Sequence, residues 1–306
     1  MPKSILRLGT RGSPLALAQA SIVREALSRL DIGCELVPVK TSGDRIQDRP
    51  LAAVGGKGLF TKELEDALLR NDIDMAVHSM KDVPVVLPPG LEIAALLPRE
   101  DIRDAFVSHH GACLADLASG ARVGTSSVRR QAQVARARAD LEIVSLRGNV
   151  DTRLAKLDCG EVDAVILAFA GLKRLGIESR ATSVLPLAEW PPALSQGAIG
   201  IEMRSNSEHA SVVRNLNDGT AAICLTCERA FQAALDGSCM SPIAGFAQFV
   251  GGILRMRGEV IAPDGSGAAE VTLERVLSGD ASSEAAALGM EAGLKLKPRA
   301  EQWLAR

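Results

Sequence analysis

Gly124-Thr125-Ser126-Ser127-Val128-Arg129-Arg130 decides the fold. A short apolar run closes on a glycine, two serines follow, and a helical pattern opens on paired arginines. Two more segments repeat the plan: Thr10-Arg11-Gly12-Ser13-Pro14, and Leu146-Arg147-Gly148-Asn149-Val150-Asp151-Thr152-Arg153. Each reads as strand, glycine-containing turn, helix. A helix N-terminus carries unpaired N–H groups and the positive end of the dipole, so it receives anions. Arginine adds a planar fork of donors suited to carboxylate or phosphate. Three such turns in one chain point to a ligand rich in acidic groups.

Outward from these turns, strand and helix alternate. Ile5 to Gly9 reads as a strand, with Ser13 as N-cap and Pro14 at the first helical position of Leu15 to Leu30. Further strands are expected at 35–39, 73–77, 122–124, 141–146, 163–168 and 197–203, and helices at 61–70, 128–139 and 150–157. The polar, glycine-rich stretch 41–58 reads as a long, mobile loop. Trp190-Pro191-Pro192 reads as a boundary or crossover. After about residue 218 the pattern changes to a helix over 221–235, short strands, and a last helix over 282–295. The expectation is two α/β domains with mostly parallel sheets and a smaller C-terminal α+β domain. In open α/β sheets ligands sit beyond the carboxyl ends of strands, where all three turns lie, so they are expected to face one cleft.

Composition narrows the function classes. The 306 residues suffice for two or three domains, and 47% are hydrophobic, enough for a sizeable core. The net charge of −2 is unlike that of a general nucleic-acid binder, and 3% aromatics with no Tyr weaken any base-stacking platform. Charge is uneven: between Arg122 and Arg153 stand seven Arg against Asp140, Glu142 and Asp151, so 7 − 3 gives a local +4. That excess reads either as a field steering an anionic ligand or as a solvated basic face. No apolar run is long enough to span a bilayer, and the first residues lack a signal-peptide core. A cytosolic protein with its six cysteines reduced is expected.

Several residues have two readings. Asp82, after Lys81 at a strand end, is a carboxylate able to steady a cation or move a proton, or simply a turn former before Val83-Pro84. His78 reads as a hydrogen-bonding loop residue rather than an acid or base. Arg129 and Arg130 oppose the positive helix end, a conflict that a bound anion relieves. Cys239, in Asp236-Gly237-Ser238-Cys239-Met240, is a nucleophile or attachment point, or an inert small hydrophobe. Cys224 and Cys227 have CxxC spacing without a partner pair, which favours helical packing over metal or redox roles. Gly55-Gly56-Lys57-Gly58 is too short for a phosphate loop and supplies one cation.

Together the segments resemble the porphobilinogen deaminase family. The carriers are TRGSPLALAQ from Thr10, GGKGLFTKELE from Gly55, AVHSMKDVP from Ala76, REDIRDAFV from Arg99, GTSSVRRQ from Gly124, SLRGNV from Ser145, TRLAKL from Thr152, AGLKRLG from Ala170, QGAIGIE from Gln196, and the GSC of Gly237 to Cys239 followed by PIA. The resemblance implies two domains like type II periplasmic binding proteins and a third, smaller one. The implied division is 1–98 with 198–216, then 99–197, then 217–306. It implies a dipyrromethane cofactor joined covalently to Cys239, no metal, and a monomer acting on porphobilinogen without nucleic acid or membrane. Four porphobilinogen units are joined on the primer, releasing ammonia, and the linear tetrapyrrole is freed by water. By the same match Asp82 is catalytic. Ser13, Lys81, Thr125, Ser126, Ser127, Arg129, Arg130, Arg147 and Gly148 hold the cofactor, while Arg11, Lys57, Arg153, Arg174 and Gln196 hold substrate carboxylates. The chain departs from the family pattern at Ala53, at Leu194-Ser195 where Pro- or Val-Gly is usual, at Asp151, and at Ser238 and Met240. A solute-binding module is the rival class. The absence of an export segment and the presence of Cys239 on a third domain weigh against it.

Overall fold

The computed structural model describes residues 5–45, 58–236 and 241–304. The chain divides into two compact units, Met1–Glu100 with Ala198–Ala221, and Asp101–Gly197 with Ala222–Arg306. In the first, β1 (Leu6–Arg11), β2 (Cys34–Val39), β3 (Met75–Ser79), β4 (Leu91–Leu96) and β10 (Ile199–Arg204) build one sheet, ordered β2-β1-β3-β10-β4, with the helices α1 (Pro14–Ser28), α2 (Ser42–Arg45), α3 (Lys62–Leu69) and α7 (Ala210–Val213). Leu8, Val77 and Ile201 pack with Val23 and Leu27 of α1, while Ala76 and Ile73 pack with Leu64 and Leu68 of α3. The sheet is therefore covered on both faces, as its near-continuous apolar strands require.

In the second unit, β5 (Asp104–Ser108), β6 (Arg122–Gly124), α4 (Val128–Ala137), β7 (Glu142–Val144), α5 (Val150–Asp158), β8 (Ala164–Ala168), α6 (Phe169–Arg174) and β9 (Ser183–Val184) form a sheet ordered β7-β6-β8-β5-β9. Along β5 the side chains alternate: Phe106 enters one core cluster, Ala105 and Val107 the other. The unit also holds the antiparallel meander β11 (Ile243–Val250), β12 (Ile253–Ile261) and β13 (Ala268–Val276), with most of α8 (Gly219–Ala234) and all of α9 (Ala281–Ala300). Here Gly258 leaves room for the Phe231 ring, and Gly289 and Gly293 let α9 approach the α8 backbone closely. Cys224 and Cys227 face this core, and burial pushes the Cys227 thiol up to about 12.

Three sequence expectations change. Both large sheets are mixed rather than mostly parallel: β10 runs antiparallel to β3 and β4, and β5 antiparallel to β8 and β9. β10 is reached only after the whole second sheet, so it enters the first sheet without the crossover helix that parallel neighbours need. Trp190-Pro191-Pro192 is a buried seam, not a boundary. Trp190 donates to Asp104, and the Pro191 carbonyl accepts from Arg129 and Gln133. The Pro192 carbonyl accepts from Gly245 of β11. The expected loop over 41–58 begins with the helical turn α2, whose Ser42 N–H donates to Glu63 at 2.7 Å. Most of that stretch lies outside the described residues.

Candidate functional site

In the first unit the candidate residues stand at the carboxyl ends of β1 and β3, which are parallel neighbours. Arg11 ends β1, and its guanidinium carbon sits 4.3 Å from the Phe60 ring centroid, a cation–π contact that steadies a long side chain. Ser13 caps α1, accepting from Ala16 N–H at 3.3 Å, and Pro14 follows where no N–H is needed. Lys81 and Asp82, both half-buried, lie on a 3-10 turn, Met80–Asp82, directly after β3. This turn is pinned: Met80 N–H donates to the Ala198 carbonyl at 3.1 Å, and the buried Met80 side chain fills the space beside Gly200 that any Cβ would take.

His78 is corrected from loop to strand. It lies within β3, is buried, and its Nε2 is 2.8 Å from Glu202 of β10. The buried Glu65 of α3 stands near this pair, and burial raises its pKa.

In the second unit two turns lie side by side after the parallel strands β6 and β7. Ser127 caps α4, accepting from Arg130 N–H at 3.4 Å. Thr125 is buried, donates its N–H to the Val144 carbonyl at 2.9 Å, and accepts from Ser127 N–H at 3.2 Å. Ser126 donates to the Leu146 carbonyl at 2.7 Å, joining the two turns. Gly148 has φ +114°, a conformation for glycine alone, and an added Cβ would meet Thr152 at 2.7 Å. Its carbonyl accepts from Arg153 Nε at 2.9 Å, and Asn149 caps α5 through Thr152 N–H. Arg147 is half-buried. Arg174 donates to the Gly197 carbonyl at 2.6 Å.

Arg129 and Arg130 need the largest correction. The sequence left their conflict with the helix dipole to a bound anion, yet the chain itself supplies Asp104. This carboxylate is 0% exposed and accepts from Arg129 Nη2 at 2.8 Å and Arg130 Nη2 at 2.7 Å. Burial alone would raise Asp104, but the two guanidinium groups and Gln196 hold it well below the usual carboxylate range. Gln196 is buried too, with its amide nitrogen 2.8 Å from both Asp104 and the Ile102 carbonyl. The sequence reading missed Asp104. The clue was an acid opening the apolar run Ala105-Phe106-Val107.

The basic segment is likewise not a free field. Arg122 pairs with Asp163, Arg136 with the buried Glu259, and Arg138 with Asp140. Two of those acids lie outside the segment, as does Asp104. What survives is narrower: two buried cations share one carboxylate, and Arg129 Nε is buried without a partner among the described residues. A surplus of buried positive charge and an orphaned donor fit an anionic group. Among the described residues no cluster is suited to a metal ion. Lys57 and Cys239 lie outside the described residues.

Comparison with known proteins is consistent with this geometry. Residues 6–212 match the family described as porphobilinogen deaminase, dipyromethane cofactor binding domain, and residues 222–298 match porphobilinogen deaminase, C-terminal domain. A porphobilinogen deaminase from Nitrobacter winogradskyi is 51% identical over 298 residues, 96% of this chain and 93% of that protein. One from Paracoccus denitrificans is 49% identical over 304 residues, 98% of this chain and 96% of that protein. Among solved structures, a periplasmic substrate-binding protein from Coxiella burnetii aligns at TM-score 0.45 and 14% identity, covering 69% of this chain and 91% of that one.

Proposed function

The chain belongs to the porphobilinogen deaminase family and is a transferase that forms hydroxymethylbilane; we propose that Asp82 is its catalytic carboxylate and Cys239 its point of cofactor attachment. The family's cofactor, dipyrromethane, supplies the terminal pyrrole onto which porphobilinogen units are joined. The amine of each porphobilinogen would leave as ammonia, and positive charge would develop on the pyrrole nitrogen that a carboxylate at this turn would face. Asp82, held half-buried on its pinned turn, stabilises that charge without reorganising. Lys81, Ser13 and Arg11 bind carboxylates at the same strand ends. Thr125, Ser126, Ser127, Arg129, Arg130, Arg147 and Gly148 frame the cofactor's carboxylates, and Arg153, Arg174 and Lys57 those of the growing chain; Gln196, expected among these, instead donates its amide hydrogens to Asp104 and the Ile102 carbonyl. Charge-assisted hydrogen bonds contribute roughly 1.5–3 kcal/mol each, so several cations suffice without a metal.

The observation carrying this reading is the surplus of buried positive charge at the capped N-terminus of α4. The reading includes a division of labour, with residues 217–306 carrying the attachment cysteine, and a cytosolic monomer that uses neither nucleic acid nor membrane. The test is Asp82→Asn. The variant is expected to fold and carry the primer mass on the Cys239 peptide, with turnover reduced on the order of 100-fold. Near-normal porphobilinogen consumption would remove Asp82 from the mechanism, and an unmodified Cys239 peptide from fully active protein would remove the attachment.

A further inference from the structure

Asp104 opens β5 and is the charged residue of an otherwise apolar strand core. Its oxygens gather donors from three parts of the second unit. Oδ1 accepts from Arg130 Nη2 at 2.7 Å and Gln196 Nε2 at 2.8 Å. Oδ2 accepts from Arg129 Nη2 at 2.8 Å, Trp190 Nε1 at 3.1 Å and Arg130 Nε at 3.2 Å. Arg129 spends its other terminal nitrogen on Gln133 Oε1 at 2.7 Å and the Pro191 carbonyl at 3.1 Å. Arg130 spends Nε and Nη2 on Asp104 alone, and its Nη1 takes no partner among the described residues.

We propose that Asp104 is a positioning residue for the anion site: it fixes Arg129 and Arg130 before the ligand arrives and leaves Arg130 Nη1 as the donor presented to a dipyrromethane carboxylate. This rests on the cofactor reading above and goes beyond it, since both oxygens of Asp104 are taken by protein donors. Stability alone is a poor account of the arrangement. A buried ion cluster is often no more stable than apolar residues of like volume. This one moreover stacks two cations at the positive end of α4, where each opposes the dipole. Glu259 acts on Arg129 only at longer range while it pairs with Arg136. A bracket of fixed donors is what carboxylate recognition needs, because a preset fork loses little freedom on binding. Gln196 and Trp190 are then parts of the bracket, holding Asp104 from the opposite side.

The experiment follows primer loading per folded chain. Cofactor-free protein is incubated with porphobilinogen and sampled by intact mass, with circular dichroism and a thermal melt measuring the folded fraction. Asp104→Asn, which keeps the shape and removes the charge, is expected to load at least tenfold more slowly per folded chain. Once loaded, it should show lowered kcat with KM little changed. Arg255→Gln, which breaks the exposed ion pair with Glu274 between β12 and β13 and leaves the bracket whole, is expected to load within about twofold of the unmodified chain. If Asp104→Asn yields no folded protein, Asp104→Glu decides. Its carboxylate is displaced by one methylene, and at least threefold slower loading is expected. Unchanged loading in a folded Asp104 variant overturns the proposal, as does a lowered melting temperature with unchanged loading per folded chain. An unmodified chain that takes up no pyrrole mass overturns the cofactor reading itself, a separate and distinguishable result.

Discussion

Replacing Ser195 by glycine should stabilise the second unit. Ser195 has φ +61°, in the left-handed region, and is 2% exposed. Its N–H donates to Glu228 Oε2 at 2.6 Å, which holds the backbone in place, while its hydroxyl is buried without a partner among the described residues. The left-handed conformation costs a residue with a Cβ roughly 1–2 kcal/mol. An unsatisfied buried hydroxyl costs about 1–3 kcal/mol more. Against these stand the greater unfolded-state freedom of glycine, about 0.4–1 kcal/mol, and lost packing of about 0.8 kcal/mol for one buried carbon. At mid-range the balance favours glycine by about 2 kcal/mol, a rise in melting temperature of roughly 4–8 °C for a unit of this size. Ser195→Ala is the control: it removes the hydroxyl, keeps the backbone strain, and should recover only part of the gain. Calorimetry of the three proteins under one buffer is the assay. A melting temperature for Ser195→Gly at or below that of the unmodified chain would refute the argument from backbone strain.

Gly148→Ala should destabilise by about 1–3 kcal/mol, because alanine at φ +114° is strained and its Cβ meets Thr152. It should also disturb Arg153, and mass spectrometry is expected to show incompletely elongated chains. The pH dependence follows from Asp104. Its folded pKa lies below the unfolded value of about 3.9, so its contribution is fully present above that pH and is lost as pH falls further. Resistance to denaturation, followed by tryptophan fluorescence to which Trp190 beside Asp104 and Trp303 both contribute, should therefore fall below pH ~4, and Asp104→Asn should lose about one proton from that slope. Thiol labelling at neutral pH should modify the exposed Cys159 and spare Cys224 and Cys227 until the chain unfolds, and rapid labelling of Cys227 would contradict its burial.

Local chemistry was legible in the sequence because it acts over a few residues. Ser13 is legible as a cap from its place before Pro14, and it accepts from the first helical turn. Gly148 was read as a turn glycine, and its φ requires one. The packing of Cys224 and Cys227 followed from their helical setting and missing partners. Arg129 and Arg130 were placed correctly at a helix start, since a strand, a glycine and two serines announce it.

Tertiary structure decided where charge is spent. Nothing near Arg129 in the chain announces Asp104, 25 residues earlier, or the Pro191 carbonyl, 62 residues later. The local +4 was a sum over one segment, while the acids that cancel much of it, Asp104, Asp163 and Glu259, arrive from other strands. His78 met Glu202 only because β10 returns antiparallel beside β3. Ser195 gave no sign in the sequence that its hydroxyl would be buried without a partner, because burial is set by elements far along the chain. Caps and turns depend on dihedral preferences and neighbouring N–H groups, which a short stretch carries within itself. Coulomb partners and burial depend on distances that only the folded chain creates, so the same arginines were identified by sequence and given their roles by the fold.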